Sequence, residues 1–416
     1  MLFLGGGLLA SDLASVASPQ LNLIMPRGVQ RGYEHVLQFR GARLDDAEEI
    51  FWYDTGIEVK NIEVVDANNL KVTVNVATDC RIGQHIAQVR CRSGVSEFRP
   101  VFVGAMPAVA EVEPNNEFDQ PQKLELNHTV DGVCTTEDVD HYIVSLKKGD
   151  KLNVEIEGMR LGNAFFDPFI AILDKDRFEL FVSDDSALTN QDGFISMIAA
   201  EDGDYTILVR ETAYRGNGNC HYRLHVGNYP RPTVAFPAGG KIGETIDVKF
   251  LGDAAGEICQ QVTVEAETRT PVGLSVQTEQ GVTPSPINFR RSELANLMEA
   301  EPNNGFDEAL HTELPIALNG IIHSENEADF YKFTAKAGAY DIECFSRRVC
   351  SSLDAVFHIY DAKKKYIGGN DDGRGLDPYM RWQCPADGEY YIRVRDHLRR
   401  GGEAVSYTHL TLPTKA

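Results

Sequence analysis

The chain lacks the short words that mark several common catalysts. It has no HExxH string, no GxSxG elbow, and no Walker A or GxGxxG loop in a strand-to-helix setting. The zinc-protease helix, the α/β-hydrolase nucleophile and the phosphate-cradling nucleotide loop are excluded in those forms. Its eight cysteines (Cys80, Cys91, Cys134, Cys220, Cys259, Cys344, Cys350 and Cys384) never form CxxC, which argues against a tetrahedral zinc site. Positive charge is scarce: 40 Lys and Arg stand against 62 Asp and Glu, a formal net charge of −22. Nucleic-acid binding needs a basic face, so it is not expected. No run of 18 consecutive apolar residues is present, so no transmembrane helix is expected. Helical periodicity is also rare, and Arg291–Met298 is one of few stretches that read as helix.

What is present is period two. In KLNVEIEG, Leu152, Val154 and Ile156 share one face, and Asn153, Glu155 and Glu157 the other. In DYTILVR, Tyr205, Ile207 and Val209 alternate with Thr206, Leu208 and Arg210; in EYYIRVR, Tyr390, Ile392 and Val394 alternate with Tyr391, Arg393 and Arg395. This alternation belongs to antiparallel strands with one buried and one wet face. Strands recur between Asp-Gly and Gly-Asn turns, as in Asp192-Gly193, Asp202-Gly203 and Asp387-Gly388. The expectation is an all-β, multidomain chain of tandem β-sandwiches.

One acidic word occurs twice, as AEVEPNNEFDQ and as MEAEPNNGFDE. The match extends further. EDVDHYIVSLKKGDKLNVEIEG aligns with NEADFYKFTAKAGAYDIECFS, DPFIAILDKDRFELFVSDDS with LDAVFHIYDAKKKYIGGNDD, and AAEDGDYTILVRE with CPADGEYYIRVRD. Agreement in order and spacing over this length is a domain duplication.

On these residues, each copy resembles the bacterial pre-peptidase C-terminal domain, a small jelly-roll sandwich. The matching features are the EPNN word, the acidic strand starts Asp138-Val139-Asp140-His141-Tyr142 and Glu327-Ala328-Asp329-Phe330-Tyr331, the strands ending at Asp174 and Asp361, and the Asp-Gly-x-Tyr hairpins. Related domains are appended to secreted proteases and include collagen-binding domains of clostridial collagenases. The resemblance implies an exported, non-catalytic module that serves as a stabilising or surface-binding unit. It implies extracellular protein or polysaccharide as partner, and a secreted, periplasmic or cell-surface location. The alternatives are the accessory region of a larger secreted peptidase and a cell-surface spacer.

The expected layout follows. Residues 1–18 read as a targeting segment, with an apolar run before Ser15-Val16-Ala17. Residues 19–108 resemble an immunoglobulin-like IPT/TIG domain, 109–228 form the first EPNN sandwich, 229–297 a small immunoglobulin-like module, and 298–405 the second EPNN sandwich. That order resembles large exported proteins of planctomycete bacteria. Residues 406–416, SYTHLTLPTKA, resemble a translated sequencing adapter and are expected to lie outside the fold. In an exported chain the even cysteine count permits disulfides, with Cys80 and Cys91 placed to close a hairpin; buried free thiols are the other reading.

The repeated word is rich in oxygen donors. Glu111, Glu113, Asn115 and Asn116 supply four side chains in the first copy, and Glu299, Glu301, Asn303 and Asn304 four in the second. Calcium takes six to eight such oxygens. In an extended chain, alternate residues face one side, as a shared ligand sphere needs. The collagen-binding relatives place calcium here with help from the acidic strand start. By position that adds Asp138 and Asp140, and Glu327 and Asp329. The competing reading is an Asx-turn lock, in which Asn and Asp side chains hold the loop with no ion. Neither copy has an EF-hand spacing. Asp184-Asp185 and Asp371-Asp372 read as solvated turns. Tyr142, Tyr205, Tyr222, Tyr331, Tyr390 and Tyr391 are candidates for a polymer-binding face, against the simpler reading that they fill the core.

Overall fold

The computed structural model describes residues 17–266, 272–402 and 405–413; the targeting segment falls almost wholly outside them. The regular elements described are strands, apart from two single 3-10 turns at Met159–Leu161 and Arg347–Val349. The chain divides by contact into two units, one ending at Gly104 and one beginning at Ala105.

The first unit is a two-sheet sandwich. One sheet runs Gln20–Met25, Glu34–Ala42, Asn69–Val76, Ile57–Asp66; the other runs Gly28–Gln30, Arg99–Gly104, Gly83–Cys91, Ala47–Trp52. Leu37, Phe39, Val72, Val74, Val89 and Val101 fill the space between. All eight cysteines of the chain are free, six of them buried, so Cys80 and Cys91 do not close the hairpin. Buried in apolar surroundings, they pack as small hydrophobes.

The second unit holds the duplication. In the first copy, one sheet has the order Ala108–Ala110, His128–Val133, His221–Gly227, Lys151–Glu157, Phe194–Ile198, and the other Gln122–Lys123, Val139–Leu146, Gly203–Glu211, Pro168–Leu173, Glu179–Ser183. The second copy repeats this order. Its first sheet is Asn296–Met298, Ala317–Ile321, Ser406–Pro413, Gly338–Phe345, Tyr379–Cys384, and its second Leu310–Thr312, Asp329–Ala335, Gly388–Asp396, Ala355–Asp361, Tyr366–Asn370. The period-two residues point inward as expected: Leu152, Val154, Ile156, Ile207 and Val209 are buried in one core, and Ile392 and Val394 in the other.

Several expectations need correction. Residues 406–413 do not lie outside the fold. Ser406–Pro413 is the central strand of its sheet, bonded to Ala317–Ile321 on one side and Gly338–Phe345 on the other. It occupies the place of His221–Gly227, because Tyr407 turns inward as Tyr222 does and both are fully buried. Arg291–Met298 is not helical. It is the end of strand Ile287–Ser292, a bend, and strand Asn296–Met298. That last strand pairs in parallel with Ala317–Asn319, so it already belongs to the second sandwich and the boundary drawn at 297 cuts through it.

The polar face of Lys151–Glu157 is not wet. Asn153, Glu155 and Glu157 are buried: the module at 229–295 covers Asn153 and Glu155, and Arg223 at 2.7 Å and His225 at 3.3 Å of the neighbouring strand pair with Glu157. The module's strands are Val234–Phe236, Thr245–Leu251 and Ile258–Thr263, facing Gly239–Lys241, Ile287–Ser292 and Val272–Leu274. Glu155 pairs with Arg231 at 2.8 Å and Arg160 at 3.1 Å, and accepts from the Ser285 hydroxyl. Lys151 pairs with Asp253 at 3.1 Å, and the Asn153 amide donates to the Tyr229 carbonyl. A buried carboxylate is tolerable only when cations and donors surround it, as they do here.

Candidate metal centres

The EPNN word is where the chain crosses from one sheet to the other. In the first copy, Ala108–Ala110 runs parallel to Thr129–Asp131 in one sheet, and Gln122–Lys123 runs parallel to Tyr142–Ile143 in the other. Between them the Glu111 N–H donates to the Asp131 carbonyl at 3.0 Å, and the Asn115 carbonyl accepts from the His141 N–H at 2.9 Å. The second copy repeats both bonds, Glu299 to Asn319 at 2.8 Å and Phe330 to Asn303 at 2.8 Å. Glu113–Pro114 and Glu301–Pro302 are both cis. A carboxylate holds each loop: Glu113 accepts from the Asn115 N–H, and Glu301 from the Asn303 N–H, each at 3.0 Å. The lock expected from Asn and Asp side chains is made instead by a glutamate, and the side chains of Asn115 and Asn303 take no part in it.

That lock does not use up the acidic groups. In the first copy, Glu111, Glu113 and Asp140 bring carboxylate oxygens within 4.8 Å of one another; in the second, Glu301, Glu327 and Asp329 do so, as do Glu299, Glu301 and His323. Glu111 Oε1 accepts from the hydroxyls of Tyr142 at 2.8 Å and Tyr222 at 2.7 Å, and Oε2 accepts from the Val133 N–H at 2.9 Å. Asp140 Oδ2 is 2.7 Å from the same Tyr222 hydroxyl. That hydroxyl has one proton and cannot donate to both carboxylates at once. In the second copy the Tyr407 hydroxyl faces Asp329 Oδ2, and Tyr331 lies 2.7 Å from Tyr407.

The consequence is uncompensated negative charge in a buried place. Asp140 Oδ1, Asp329 Oδ1 and Glu299 Oε2 take no N–H or hydroxyl donor among the described residues, nor has either side-chain atom of Asn115 or Asn303 a partner; the one hydrogen bond left to the acids is a proton shared between Asp140 and Glu111, and between Asp329 and Glu299. Asp140, Asp329 and Asn303 are fully buried, and Asn115 nearly so. Burial pushes the Asp140 carboxyl up to about 9, helped by the charge of Glu111; burial and Glu299 do the same to Asp329. Burial raises Glu299 to about 7 and moves Glu113 in the same direction. Orphaned buried oxygens beside like charges need a proton or a cation. The donor set, all carboxylate and amide oxygen in the first copy, fits a hard divalent ion.

Not every expected ligand joins the cluster. Asn116 and Asn304 are exposed, and the Asn304 amide donates to Glu301 at 3.2 Å. Asp138 Oδ2 caps a turn instead, accepting from the Thr135 N–H at 2.8 Å and hydroxyl at 2.9 Å; Glu327 does the same for Ser324 while staying in its cluster. Tyr222 and Tyr407 belong to the site through their hydroxyls, a role that strand alternation does not reveal; the sequence offers Tyr142, Tyr222 and Tyr331 for a polymer-binding face instead. That surface reading is corrected: Tyr142, Tyr205, Tyr222, Tyr331 and Tyr390 are buried, and only Tyr391 is partly exposed.

Gly132 and Gly320 make room for these rings. A Cβ on Gly132 would lie 2.3 Å from the Tyr222 ring, and one on Gly320 would lie 2.3 Å from Glu299 Oε2 and 2.4 Å from the Tyr407 hydroxyl.

No protein-family model matches the chain. A probable subtilase-type serine protease of Deinococcus radiodurans is 33% identical over 103 residues, which is 23% of this chain and 14% of that protein. The chain therefore spans a small part of that relative's length. Among solved structures, the pre-peptidase C-terminal domain of a Bacillus anthracis collagenase aligns with 17% identity over 25% of this chain and 95% of that domain, with a TM-score of 0.21. A secreted serine protease of Vibrio cholerae aligns with 10% identity over 50% of this chain and 49% of its own, with a TM-score of 0.18. No helix among the described residues is long and apolar enough to cross a membrane.

Proposed function

We propose that the two EPNN sandwiches are non-catalytic, cation-pinned modules of an exported protein, of the pre-peptidase C-terminal type. A divalent ion, calcium in the first copy, would be held by Glu111, Glu113 and Asp140, with Asn115 as the nearby amide. The ion would supply positive charge that the described residues of the cluster do not, and would tie the crossover segment to the acidic strand start. The observation that carries this reading is a pair of fully buried oxygens, Asp140 Oδ1 and Asp329 Oδ1, that take no N–H or hydroxyl donor and lie beside a second carboxylate, Glu111 or Glu299, at equivalent places in the two copies. Extracellular modules of this kind bind calcium with Kd on the order of 0.1–1 mM, so the role is structural. Extracellular protein or polysaccharide is the partner class, and secretion or surface display the setting.

The likeness to 103 residues of a subtilase-type protease favours one alternative in particular, the accessory region of a longer peptidase. The test of the cation reading is calcium titration of the full chain by calorimetry, with Asp140→Asn beside it. Millimolar binding weakened by the substitution supports the reading. No heat and no shift in melting temperature would leave the crossover held by hydrogen bonds alone.

A further inference from the structure

The two clusters differ by one inserted residue. Counting from Asp140 and Asp329 back to Thr135 and Ser324, the copies run in step, and each Thr or Ser gives its N–H and hydroxyl to one carboxylate, Asp138 or Glu327. They are in step again at Cys134 and Ile322. Both are fully buried, and both donate their N–H across the sheet, to the Cys220 and Val405 carbonyls at 3.0 and 2.9 Å. Between these points the first copy has nothing and the second has His323.

His323 sits against the cluster. Its Nε2 lies 3.6 Å from Glu299 Oε1, with the ring half exposed. A ring nitrogen of His323 and carboxylate oxygens of Glu299 and Glu301 are all within 4.8 Å of one another. Its backbone N–H is fixed on Glu327 Oε1 at 3.1 Å, so the insertion is anchored beside the carboxylates. Glu301 also belongs to the group with Glu327 and Asp329, and Asp329 Oδ1 is the buried oxygen with no N–H or hydroxyl donor. Two donors on one tetrahedral ion with bonds of about 2.0–2.1 Å stand roughly 3.3–3.4 Å apart, so the 3.6 Å span from histidine to glutamate is closed by a small side-chain adjustment.

The donor chemistry separates the copies. Calcium is bound by oxygen, whereas an imidazole with carboxylates suits borderline transition ions. We propose that the second sandwich is a transition-metal site, zinc being the type of ion it takes, with His323, Glu299 and Glu301 as ligands and Asp329 beside them, while the first sandwich is the calcium site. This rests on the reading that the EPNN clusters hold cations, and adds that the duplicated sites have diverged in metal class.

The test uses the full chain, titrated with zinc, with cobalt(II) as a spectroscopic probe, and separately with calcium; His323→Ala and Asp140→Asn are the variants. His323 is half exposed, so its removal leaves the fold intact. We expect one tight equivalent of zinc and a cobalt d–d spectrum. Loss of His323 should weaken zinc at least about tenfold and leave calcium binding unchanged, and Asp140→Asn should do the reverse. Zinc affinity that is indifferent to His323→Ala, or calcium binding with no zinc equivalent, would overturn this inference and leave the calcium reading standing. Binding of neither ion would overturn both.

Discussion

A buried carboxylate with one oxygen left without an N–H or hydroxyl donor is the residue-scale feature that organises both sandwiches. Asp140 and Asp329 ordinarily titrate near 3.8 and are pushed to about 9, first by burial and then by the neighbouring glutamate. The sign of the linkage follows. A folded-state pKa above the unfolded one means that the folded protein binds the proton more tightly. The stability from that proton is fully present below about pH 4 and is lost as pH rises towards about 9. In chelator, denaturant midpoints of the full chain should therefore fall across that window, beyond what the other groups of the chain contribute; Asp140→Asn should flatten the fall. Asn is close in shape to the neutral acid, so at pH 8 without metal the variant should be at least as stable as the parent.

At the scale of elements, two devices recur in both copies. One is the tyrosine that reaches the EPNN crossover from the central strand, which needs a glycine opposite. Gly320→Ala places a Cβ 2.3 Å from Glu299 Oε2, and overpacking of this kind costs about 1–3 kcal/mol. Denaturation of this variant should show that loss together with weaker metal binding, whereas a purely structural clash would leave metal affinity unchanged. The other is the aspartate that caps the 3-10 turn. Asp192 accepts from the N–H groups of Gly158, Met159 and Arg160 at 3.0, 2.8 and 3.3 Å, and Asp377 from those of Ser346, Arg347 and Arg348 at 3.2, 2.8 and 3.2 Å. The turn then ends in a left-handed residue, Gly162 at φ 65° in one copy and Cys350 at φ 61° in the other. A non-glycine residue there costs roughly 1–2 kcal/mol. Cys350 also receives the Asn288 amide on its sulfur at 3.1 Å. Cys350→Gly should stabilise the second sandwich by about 1 kcal/mol or less, measured by chemical denaturation.

Legibility in the sequence follows the range of the interactions. Strand periodicity and the duplication are local patterns, and the acidic residues that converge are largely those the EPNN word displays. Asp192-Gly193 reads as a hairpin turn because nothing nearby shows the three N–H groups arriving from more than thirty residues upstream. His323 is invisible until the two copies are laid on each other's hydrogen bonds. Tyr407 and its strand are missed because SYTHLTLPTKA departs from the first copy's wording while keeping its inward tyrosine. Arg291–Met298 reads as a helix because its two strand ends carry no turn residue between them.

For the molecule as a whole, the deciding contact is the buried ion pair between the first sandwich and the following module. Glu155 and Arg231 are both fully buried, and Arg231 stacks 4.4 Å from the Phe194 ring centre. Removing one partner of such a pair costs about 3–5 kcal/mol, because the other is left charged and dry. Arg160 still pairs with Glu155 after Arg231→Met, so that substitution should lower the unfolding free energy of the 105–416 unit by no more than that order, measured by chemical denaturation. In an excised 108–228 fragment Glu155 would lose Arg231 and the Ser285 hydroxyl and keep only Arg160. The cation test therefore belongs on the full chain.

The most direct measurement is scanning calorimetry of the full chain at pH 8, in calcium and in chelator, for the parent and Asp140→Asn. Ligand at a hundredfold excess over Kd stabilises by about 2.7 kcal/mol. The account predicts that calcium raises the melting temperature of the unit beginning at Ala105 in the parent, and that Asp140→Asn melts at or above the parent in chelator and gains nothing from calcium. Equal melting of the parent in both solutions, or a calcium shift that survives Asp140→Asn, would contradict it.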